Sequence, residues 1–430
     1  MSVALTPLDT LEPSPSRSSL RGLDGTNLFL AGLLSGFGPY VAVYLADEKW
    51  TRSNIGLVLT IGGIAGLLSQ LPGGELLDVI RAKRALLAVG AAVTAVSALI
   101  IGYHPHFTLV AAGLVLQGIC GGFLGAAVAA ISLGLVGQNA LADRLGRNQR
   151  FASTGGLLAA GIMGFTGYVL SYRAIFLVAA ALVLPLFVAL IRIGPGDVHF
   201  GRSVGAPEHH DPSTPPPRSL RASLCRNPGL LIFAACLFLF QFANASMLPL
   251  AGEALAYKGG HRSSLVISAL IIMPQVIVAL MAPWAGRHAR IWGRRPLLLI
   301  GFAALPIRAL LFALFAHPFL LIGFQVLDGV SGTMLGVLTA LVVSDLTTGT
   351  GRFNLSQGIV GMASGIGASL STAASGLLAE NFGLPVGFLG IAVVSLLGTL
   401  ILWLFMPETK PSAPRTPPAL GIPANSVPAP

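Results

Sequence analysis

The chain has 430 residues, of which 54% are hydrophobic and only 10% are charged, and its mean hydropathy is +0.80 despite a formal net charge of +10. A water-soluble protein carries about a quarter of its residues as charges, so the composition excludes a soluble globular protein and indicates a membrane protein. Three cysteines, Cys120, Cys225 and Cys236, are too few to organise a disulfide framework.

Long apolar stretches recur along the chain from residue 26 onwards. Residues 1–25 contain acids and prolines but no apolar core of a secretory signal, so we expect a cytosolic N-terminal tail there. A hydrocarbon core about 30 Å thick is crossed by roughly 20 helical residues. By that measure the sequence predicts twelve transmembrane spans, numbered here in chain order: 26–46, 55–77, 85–103, 107–133, 151–171, 174–193, 229–252, 263–285, 297–316, 318–343, 354–379 and 384–406.

The apolar stretches divide into two groups of six. They are rich in Ala, Leu and Gly and do not alternate polar with apolar residues, which favours helices over the strands of a membrane barrel. A segment rich in Pro, Ser, Arg and His separates the groups and is predicted to be a cytosolic linker. The sequence therefore predicts an all-α membrane protein of two six-helix bundles, 26–193 and 228–406, with a linker at 194–227 and a cytosolic C-terminal tail at 407–430.

The basic residues indicate how the chain is oriented. Twenty of the 26 lysines and arginines lie in the termini, in the linker and in the loops that follow even-numbered spans. Because lysine and arginine in short loops are retained in the cytosol, both termini are predicted to be cytoplasmic, in a multi-pass protein of the plasma (inner) membrane. Since the charge is divided among hydrophobic spans, we expect membrane lipids and no nucleic acid as its partners.

The two halves are related in sequence. Residues 116–130 align with residues 327–341 at an offset of 211, and six of the fifteen positions are identical. A duplicated six-helix unit predicts two pseudo-symmetric bundles that move about a shared central site.

The loop after span 2 resembles a signature of the major facilitator superfamily. Gly74, Leu76, Asp78, Lys83 and Arg84 match its pattern, and a second copy after span 8 keeps the glycine and the basic end but has Arg290 in the position of the acid. The resemblance covers residues 25 to 410 and is to bacterial-type transporters that export drugs or metabolites. It implies a conformational latch made by Gly74, Asp78, Lys83, Arg84, Gly286, Arg290 and Arg294, with Asp345 as a possible partner in the second half.

Two opposite charges are predicted at the middle of the membrane. Arg308 precedes Pro318 by ten residues and Asp328 follows it by ten, so each lies about 15 Å deep on adjacent antiparallel helices. Two interpretations remain open. Asp328 is a proton-coupling acid whose pKa is raised by burial and lowered by Arg308, or the two residues form a permanent ion pair that joins their helices.

Neutral polar residues within the spans are the candidates for substrate contact. The family resemblance implies that spans 1, 4, 7 and 10 line a cavity, and amides and a phenol there suit a neutral or mixed-character organic molecule. The alternative is that they only bond neighbouring helices. The candidates are Tyr40, Gln117, Gln241, Asn244 and Gln325.

The predicted function is secondary active transport by alternating access, with proton-coupled export of small organic molecules as the leading hypothesis. An uptake carrier for a sugar or organic acid is the alternative, because Pro407-Glu408-Thr409-Lys410 resembles the tail signature of sugar porters. A channel is less consistent with duplicated halves, and no nucleophile and base are spaced for an intramembrane enzyme. We expect a monomer whose partners are substrate, protons and lipid, without cofactor or metal.

Overall fold

A computed structural model describes residues 15–37, 39–206, 227–256, 262–315 and 317–411 of the chain, and within them it contains helices and turns but no strand. Parts of the predicted tails and linker therefore lie outside the described residues. The helices that correspond to the predicted spans are Arg17–Ser35 and Pro39–Asp47 for span 1, Arg52–Val79 for span 2, Lys83–Tyr103 for span 3, Phe107–Val169 for spans 4 and 5, Tyr172–Ala181 and Val183–Ile191 for span 6, Pro228–Asn244 and Met247–Ala256 for span 7, Arg262–Ile291 for span 8, Arg295–Leu314 for span 9, Pro318–Thr347 for span 10, Phe353–Phe382 for span 11 and Leu384–Phe405 for span 12.

Eleven helical segments of the described chain are long and apolar enough to cross a membrane. One of them, Phe107–Val169, has 63 residues and would measure about 95 Å if it were straight, roughly three bilayer cores. Gly137 has a φ of 66° and a ψ of −179°, which no α-helix contains, so it separates spans 4 and 5. The loop predicted between these spans is largely helical on either side of Gly137.

The first span begins earlier than the sequence predicts and is interrupted. Its helix starts at Arg17, where the Ser16 side chain accepts a hydrogen bond from the backbone N–H of Ser19, so residues 17–25 are helical although they were expected in the tail. The helix ends at Ser35 and a second one begins at Pro39. Proline has no backbone N–H and its ring obstructs the preceding turn, which favours a break at this position.

Span 7 has a matching interruption. Its first helix ends at Asn244 and its second begins at Met247. Pro249 is the third residue of the second helix. The backbone N–H of Ser246, within the break, donates to Ser371 Oγ at 3.0 Å. At the offset of 211 between the halves, the breaks in spans 1 and 7 lie within about three residues of each other.

Each half buries its own apolar core. One cluster of buried side chains contains only residues between Leu23 and Ile193, and the other lies mostly between Leu230 and Met406. Five residues of spans 4 and 5 and the turn between them also belong to the second cluster: Ala129, Leu133, Leu141, Ala142 and Leu145. Each bundle therefore has its own core, and the two bundles pack against each other along one face.

The halves touch most closely at the end of the bundle that carries Ser16, the linker residues 194–206 and residues 407–411, which we call the linker end. There span 5 crosses span 8, and span 2 crosses span 11. A Cβ on Gly146 would lie 2.5 Å from the carbonyl oxygen of Ala282, and one on Gly286 would lie 2.5 Å from that of Ala142. Glycine permits this approach of backbones, because any side chain would collide.

The first part of the linker packs against both halves. Residues Phe200–Ser203 form one helical turn, and the backbone N–H of His199 donates to the carbonyl of Gly134 at 3.1 Å. On the other side the carbonyl of Val204 accepts from the N–H of Phe353 at 3.1 Å. Residues 194–206 are thus part of the folded bundle.

Candidate functional site

A cavity of about 750 Å³ lies between the two halves and is lined by spans 1, 2, 4, 5, 7, 8, 10 and 11. Spans 2, 5, 8 and 11 therefore join the four predicted to line it. Asp328 is the one ionisable side chain among the described lining residues. No group of three or more His, Cys, Asp or Glu suited to a metal ion occurs in the described chain. The lining contains eight amide side chains, namely Asn27, Gln70, Asn148, Gln149, Gln241, Asn244, Gln275 and Gln357.

The structure brings Arg308 and Asp328 together as an ion pair in the cavity wall. The side chain of Arg308 is 3% exposed and that of Asp328 is 28% exposed, so the carboxylate faces the cavity and the guanidinium lies behind it. Arg308 also donates to Asn244 Oδ1, to Gln325 Oε1 at 3.3 Å and to Met247 Sδ at 3.0 Å. The buried guanidinium therefore has three acceptors besides the carboxylate, which hold it in place behind the cavity wall.

The arginine spans the break in span 7. Asn244 is the last residue of the first helix and Met247 is the first of the second, and Arg308 binds both. Asn244 also lines the cavity, one turn beyond Gln241. Asn244 Oδ1 accepts a hydrogen bond from Arg308, so a ligand that donates to the same oxygen would compete with Arg308.

The predicted polar residues divide between the cavity and its supports. Gln241 and Asn244 line the central cavity, and Gln117 lines an adjoining cavity of about 540 Å³ between spans 1, 2, 4 and 11. The lining of the central cavity does not include Tyr40 or Gln325. For these two residues the structure favours the alternative, a bond to a neighbouring helix.

Tyr40 and Gln325 are held against backbone groups. The hydroxyl of Tyr40 donates to the carbonyl of Ala160 at 3.1 Å, which attaches span 1 to span 5. Gln325 is 4% exposed and donates from Nε2 to the carbonyl of Leu270 at 3.0 Å while it accepts from Arg308. Gln325 thus positions Arg308, and Tyr40 joins two helices.

Asp78 links the halves at the linker end. Its carboxylate is 3% exposed and accepts three hydrogen bonds from the start of span 11: from Asn354 N at 3.0 Å, from Asn354 Nδ2 at 2.9 Å and from Leu355 N at 2.9 Å. The first N–H groups of a helix have no partner within it and carry partial positive charge, so a carboxylate is a strong cap. Gly74 lies against the carbonyl of Asn354, where a side chain would collide.

The basic residues of the first signature act within their own half. Lys83 Nζ donates to the carbonyls of Leu77 at 2.6 Å and Ile80 at 3.1 Å, which caps the end of span 2. Arg84 Nη2 donates to the carbonyl of Leu190 at 3.1 Å. In the described chain their hydrogen bonds do not reach the second half, so of the four latch residues in the first signature only Gly74 and Asp78 contact the other half.

The second signature makes two different contacts. Arg290 Nη1 lies 2.5 Å from Asp143 Oδ2 in the first half, and both side chains are more than a third exposed. Arg294 Nε lies 2.8 Å from Asp345 Oδ2 in its own half, where both are buried. Gln138 then donates from Nε2 to Asp345 Oδ1 at 2.8 Å. Asp345 therefore binds Arg294 within the second half and connects span 10 to the first half.

Two charged contacts could not be predicted from the sequence. Asp24, placed in the predicted tail, is bound by Arg144 at 2.5 Å and by Arg147 at 2.6 Å. Glu408 accepts from the backbone N–H groups of Arg294 at 2.8 Å and Arg295 at 3.1 Å, so it caps span 9. Asp24 was placed outside span 1 because a charged residue lowers the mean hydropathy of the window. The only signal for its partners is the cluster of arginines near residue 144, which favours an acid close by.

Comparisons with known proteins identify the family of the chain. A sequence model of the Major Facilitator Superfamily matches residues 25–274 and 261–429. Over 397 residues the chain is 37% identical to an uncharacterized MFS-type transporter of Mycobacterium tuberculosis, found in two strains, and the match covers 92% of this chain and 94% of each relative.

Solved structures share the fold at low identity. The proton:xylose symporter XylE is 15% identical with a TM-score of 0.70, and the match covers 91% of this chain and 97% of that one. The Escherichia coli fucose:proton symporter FucP is 15% identical with a TM-score of 0.68, covering 90% and 98%. The human organic anion transporter MFSD10 is 15% identical with a TM-score of 0.62, covering 90% and 98%. From the family match and the 37% identity, the chain belongs to the major facilitator superfamily of membrane transporters.

Proposed function

We propose that this protein is a proton-coupled secondary transporter of a small, neutral, hydrogen-bonding organic molecule, and that it exports that molecule by alternating access. The observation that carries the proposal is the ion pair of Asp328 and Arg308 in the wall of a cavity shared by two duplicated halves. A cavity between pseudo-symmetric bundles is suited to exposure on one side at a time.

The chemistry of the lining favours a neutral solute. Eight amides can donate and accept hydrogen bonds, while the one described carboxylate is already paired with Arg308. An organic ion would need an unpaired opposite charge in the lining to offset its loss of hydration. A neutral molecule with several hydroxyl, carbonyl or amine groups meets no such penalty.

The unequal burial of the pair supports proton coupling. When Asp328 is ionised it is bound to Arg308, and when it is protonated that attraction is lost while Arg308 keeps the acceptors of Asn244 and Gln325. The proton thus changes which group Asp328 can bond in the cavity. Asn244 lines the cavity and also accepts a hydrogen bond from Arg308. Substrate binding at Asn244 is thereby connected to the protonation of Asp328.

The contacts at the linker end favour one arrangement of the halves. Asp78 with Asn354, Asp143 with Arg290 and Gln138 with Asp345 all join the halves there. With the linker in the cytoplasm, as the basic residues predict, the cytoplasmic side is closed in this arrangement. A proton would then enter the cavity from outside and leave to the cytoplasm after the linker end opens.

The test is flux in vesicles. Ligands are first found by thermal shift on purified wild-type protein, and the best binder is then followed in vesicles with an imposed pH gradient and an internal pH dye. The expected result is solute movement opposite to the proton, and its loss in Asp328→Asn. Full gradient-driven transport by Asp328→Asn would refute the proton role.

Uptake of a sugar or organic acid is the second candidate. The amide-rich lining supports it for a polyhydroxylated solute, and XylE and FucP, which share the fold, are sugar:proton symporters by name. The same vesicles distinguish the two candidates, because a symporter moves solute in the direction of the proton.

A further inference from the structure

A second large cavity, of about 990 Å³, lies at the linker end between spans 5 and 8, which belong to opposite halves. It is separate from the central cavity, with which it shares no lining residue. Its lining residues are Asp143, Arg147, Arg150, Phe151, Thr154, Pro283, Arg287, Arg290 and Ile291. Four guanidinium groups therefore surround one carboxylate.

Two of the four arginines have carboxylate partners and two do not. Arg147 binds Asp24 at 2.6 Å, and Arg290 binds Asp143 at 2.5 Å. Arg150 and Arg287 are exposed, and their guanidinium groups make no hydrogen bond or ion pair with the residues that the structure describes. The positive charges of these arginines repel one another across the cavity. A bound anion would reduce this repulsion and would interact with arginines of both halves.

The polar and apolar residues of this cavity are ordered along the helices. On span 5, Arg147 and Arg150 are nearer the linker end, and Phe151 and Thr154 follow towards the membrane centre at helical spacing. On span 8, Pro283 is the deeper residue, and Arg287 and Arg290 follow towards the linker end. A molecule that fits this order has an anionic group at the membrane surface and an apolar body below it.

The neighbouring aromatic residues mark the same depth on span 8. Trp284 and Trp292 are 37% and 52% exposed; Trp284 stacks on His288, and Trp292 lies edge-on to both rings. Exposed tryptophans on membrane helices lie at the level of lipid headgroups. The arginines between them in sequence, Arg287 and Arg290, are therefore at headgroup level as well.

We propose that this cavity binds the phosphate of an anionic phospholipid, with Arg150 of the first half and Arg287 of the second as its free ligands. Guanidinium groups present paired N–H donors that match phosphate oxygens. Free phosphate has the same anionic group, but Phe151 and Pro283 provide an apolar surface that only the lipid would use. The bound lipid would bridge the halves beside the Gly146 and Gly286 crossing and so stabilise the closed linker end.

The binding test needs no substrate and does not depend on the proposed function. Full-length protein is purified, and retained lipid is measured by native mass spectrometry after exposure to dioleoyl phosphatidylglycerol or dioleoyl phosphatidylcholine. The double variant Arg150→Gln with Arg287→Gln is compared with Arg17→Gln with Arg21→Gln, which removes the same charge from exposed positions of span 1 at the same end. Thermal unfolding verifies that both variants are folded.

The expected result is that wild type retains phosphatidylglycerol in preference to phosphatidylcholine. Retention should fall about tenfold in the cavity variant and stay unchanged in the span 1 variant. Equal losses in the two variants would show a general effect of surface charge and overturn the site. Displacement of the lipid by millimolar inorganic phosphate would assign the cavity to a soluble anion instead.

The bridging step has its own measurement. Spin labels at Lys49 and His317, exposed positions at the opposite end of the two halves, report their separation. Phosphatidylglycerol should increase the population with the longer separation in wild type and leave the cavity variant unchanged. An increase of equal size in both proteins would refute the bridge.

Discussion

The carboxylate of Asp78 accepts a hydrogen bond of 2.9 Å from the backbone N–H of Leu355, although the two residues belong to different halves of the chain. Asn354 contributes two more hydrogen bonds to the same carboxylate. An acid at the end of span 2 therefore caps the start of span 11 across the interface. Because these bonds join the two halves, opening of the linker end would break them, and we expect the cap to stabilise the closed conformation selectively.

Asp78→Asn should favour the open linker end. An amide offers one acceptor oxygen to three donors, and a hydrogen bond to a charged group contributes about 1.5–3 kcal/mol, so the ratio of the two conformations should change by about tenfold or more. Turnover should slow more than substrate affinity falls, as measured by vesicle flux and by equilibrium binding. Glu75→Gln, an exposed acid three residues earlier, is the matched control, and an unchanged turnover in Asp78→Asn would eliminate the latch.

Replacement of Asp328 by leucine should destabilise the protein, because Arg308 would keep its charge at 2% exposure without a carboxylate. Breaking a buried ion pair on one side costs about 3–5 kcal/mol. The double change Asp328→Leu with Arg308→Met should recover most of that loss in thermal unfolding.

The pair of Arg173 and Glu48 is the comparison for this cycle, because the side chain of Arg173 is 57% exposed whereas that of Arg308 is 3% exposed, and its single replacements should change stability by less than about 1 kcal/mol. If the double variant at Arg308 and Asp328 were no more stable than Asp328→Leu, burial of an unpaired charge would not be the cause.

Gln241→Ala should weaken substrate binding while Tyr40→Phe should not. Gln241 lines the central cavity, and a lost hydrogen bond of about 1 kcal/mol reduces affinity by roughly fivefold. The hydroxyl of Tyr40 bonds to the Ala160 carbonyl instead, so its removal should lower stability only. Isothermal titration with the best ligand measures both, and a larger loss in Tyr40→Phe would place substrate near span 5.

Gly146→Ala should disturb the closed linker end, because the added Cβ would lie 2.5 Å from the carbonyl oxygen of Ala282. Gly161→Ala, in the same span, is the control, since a Cβ there meets nothing within 4 Å. Spin labels at Lys49 and His317 should report a shorter separation for Gly146→Ala alone. Identical distributions for both variants would show that this crossing does not set the conformation.

The pair of Arg308 and Asp328 could be predicted from the sequence because depth in a membrane is nearly one-dimensional. Counting residues from Pro318 fixes how deep each charge lies, and a buried charge in lipid needs a partner. The same arithmetic cannot give the rotation of a helix about its axis. For that reason Gln325 was expected in the cavity, yet it lies behind the wall.

Other features of the fold and the cavity depend on contacts between particular residues, which an average of hydropathy over many residues does not report. Asp24 lies before the predicted start of span 1, yet Arg144, 120 residues later, holds it within the helix. The breaks in spans 1 and 7 leave mean hydropathy almost unchanged, although Pro39 and Pro249 indicate them. Gln70, Asn148 and Gln275 reach the cavity because spans 2, 5 and 8 cross near it, which only tertiary packing determines.

The packed linker residues bear on whether the two bundles can be made as separate polypeptides. The carbonyls of Val204 and Gly205 accept hydrogen bonds from Phe353 and Gly349, and Ser203 accepts one from Asn354. A fragment ending after residue 206 therefore carries its own recognition surface for the second fragment. Co-expressed pieces divided between residues 206 and 227 should reassemble without a peptide bond, whereas a division before Phe200 would remove that surface from the first piece.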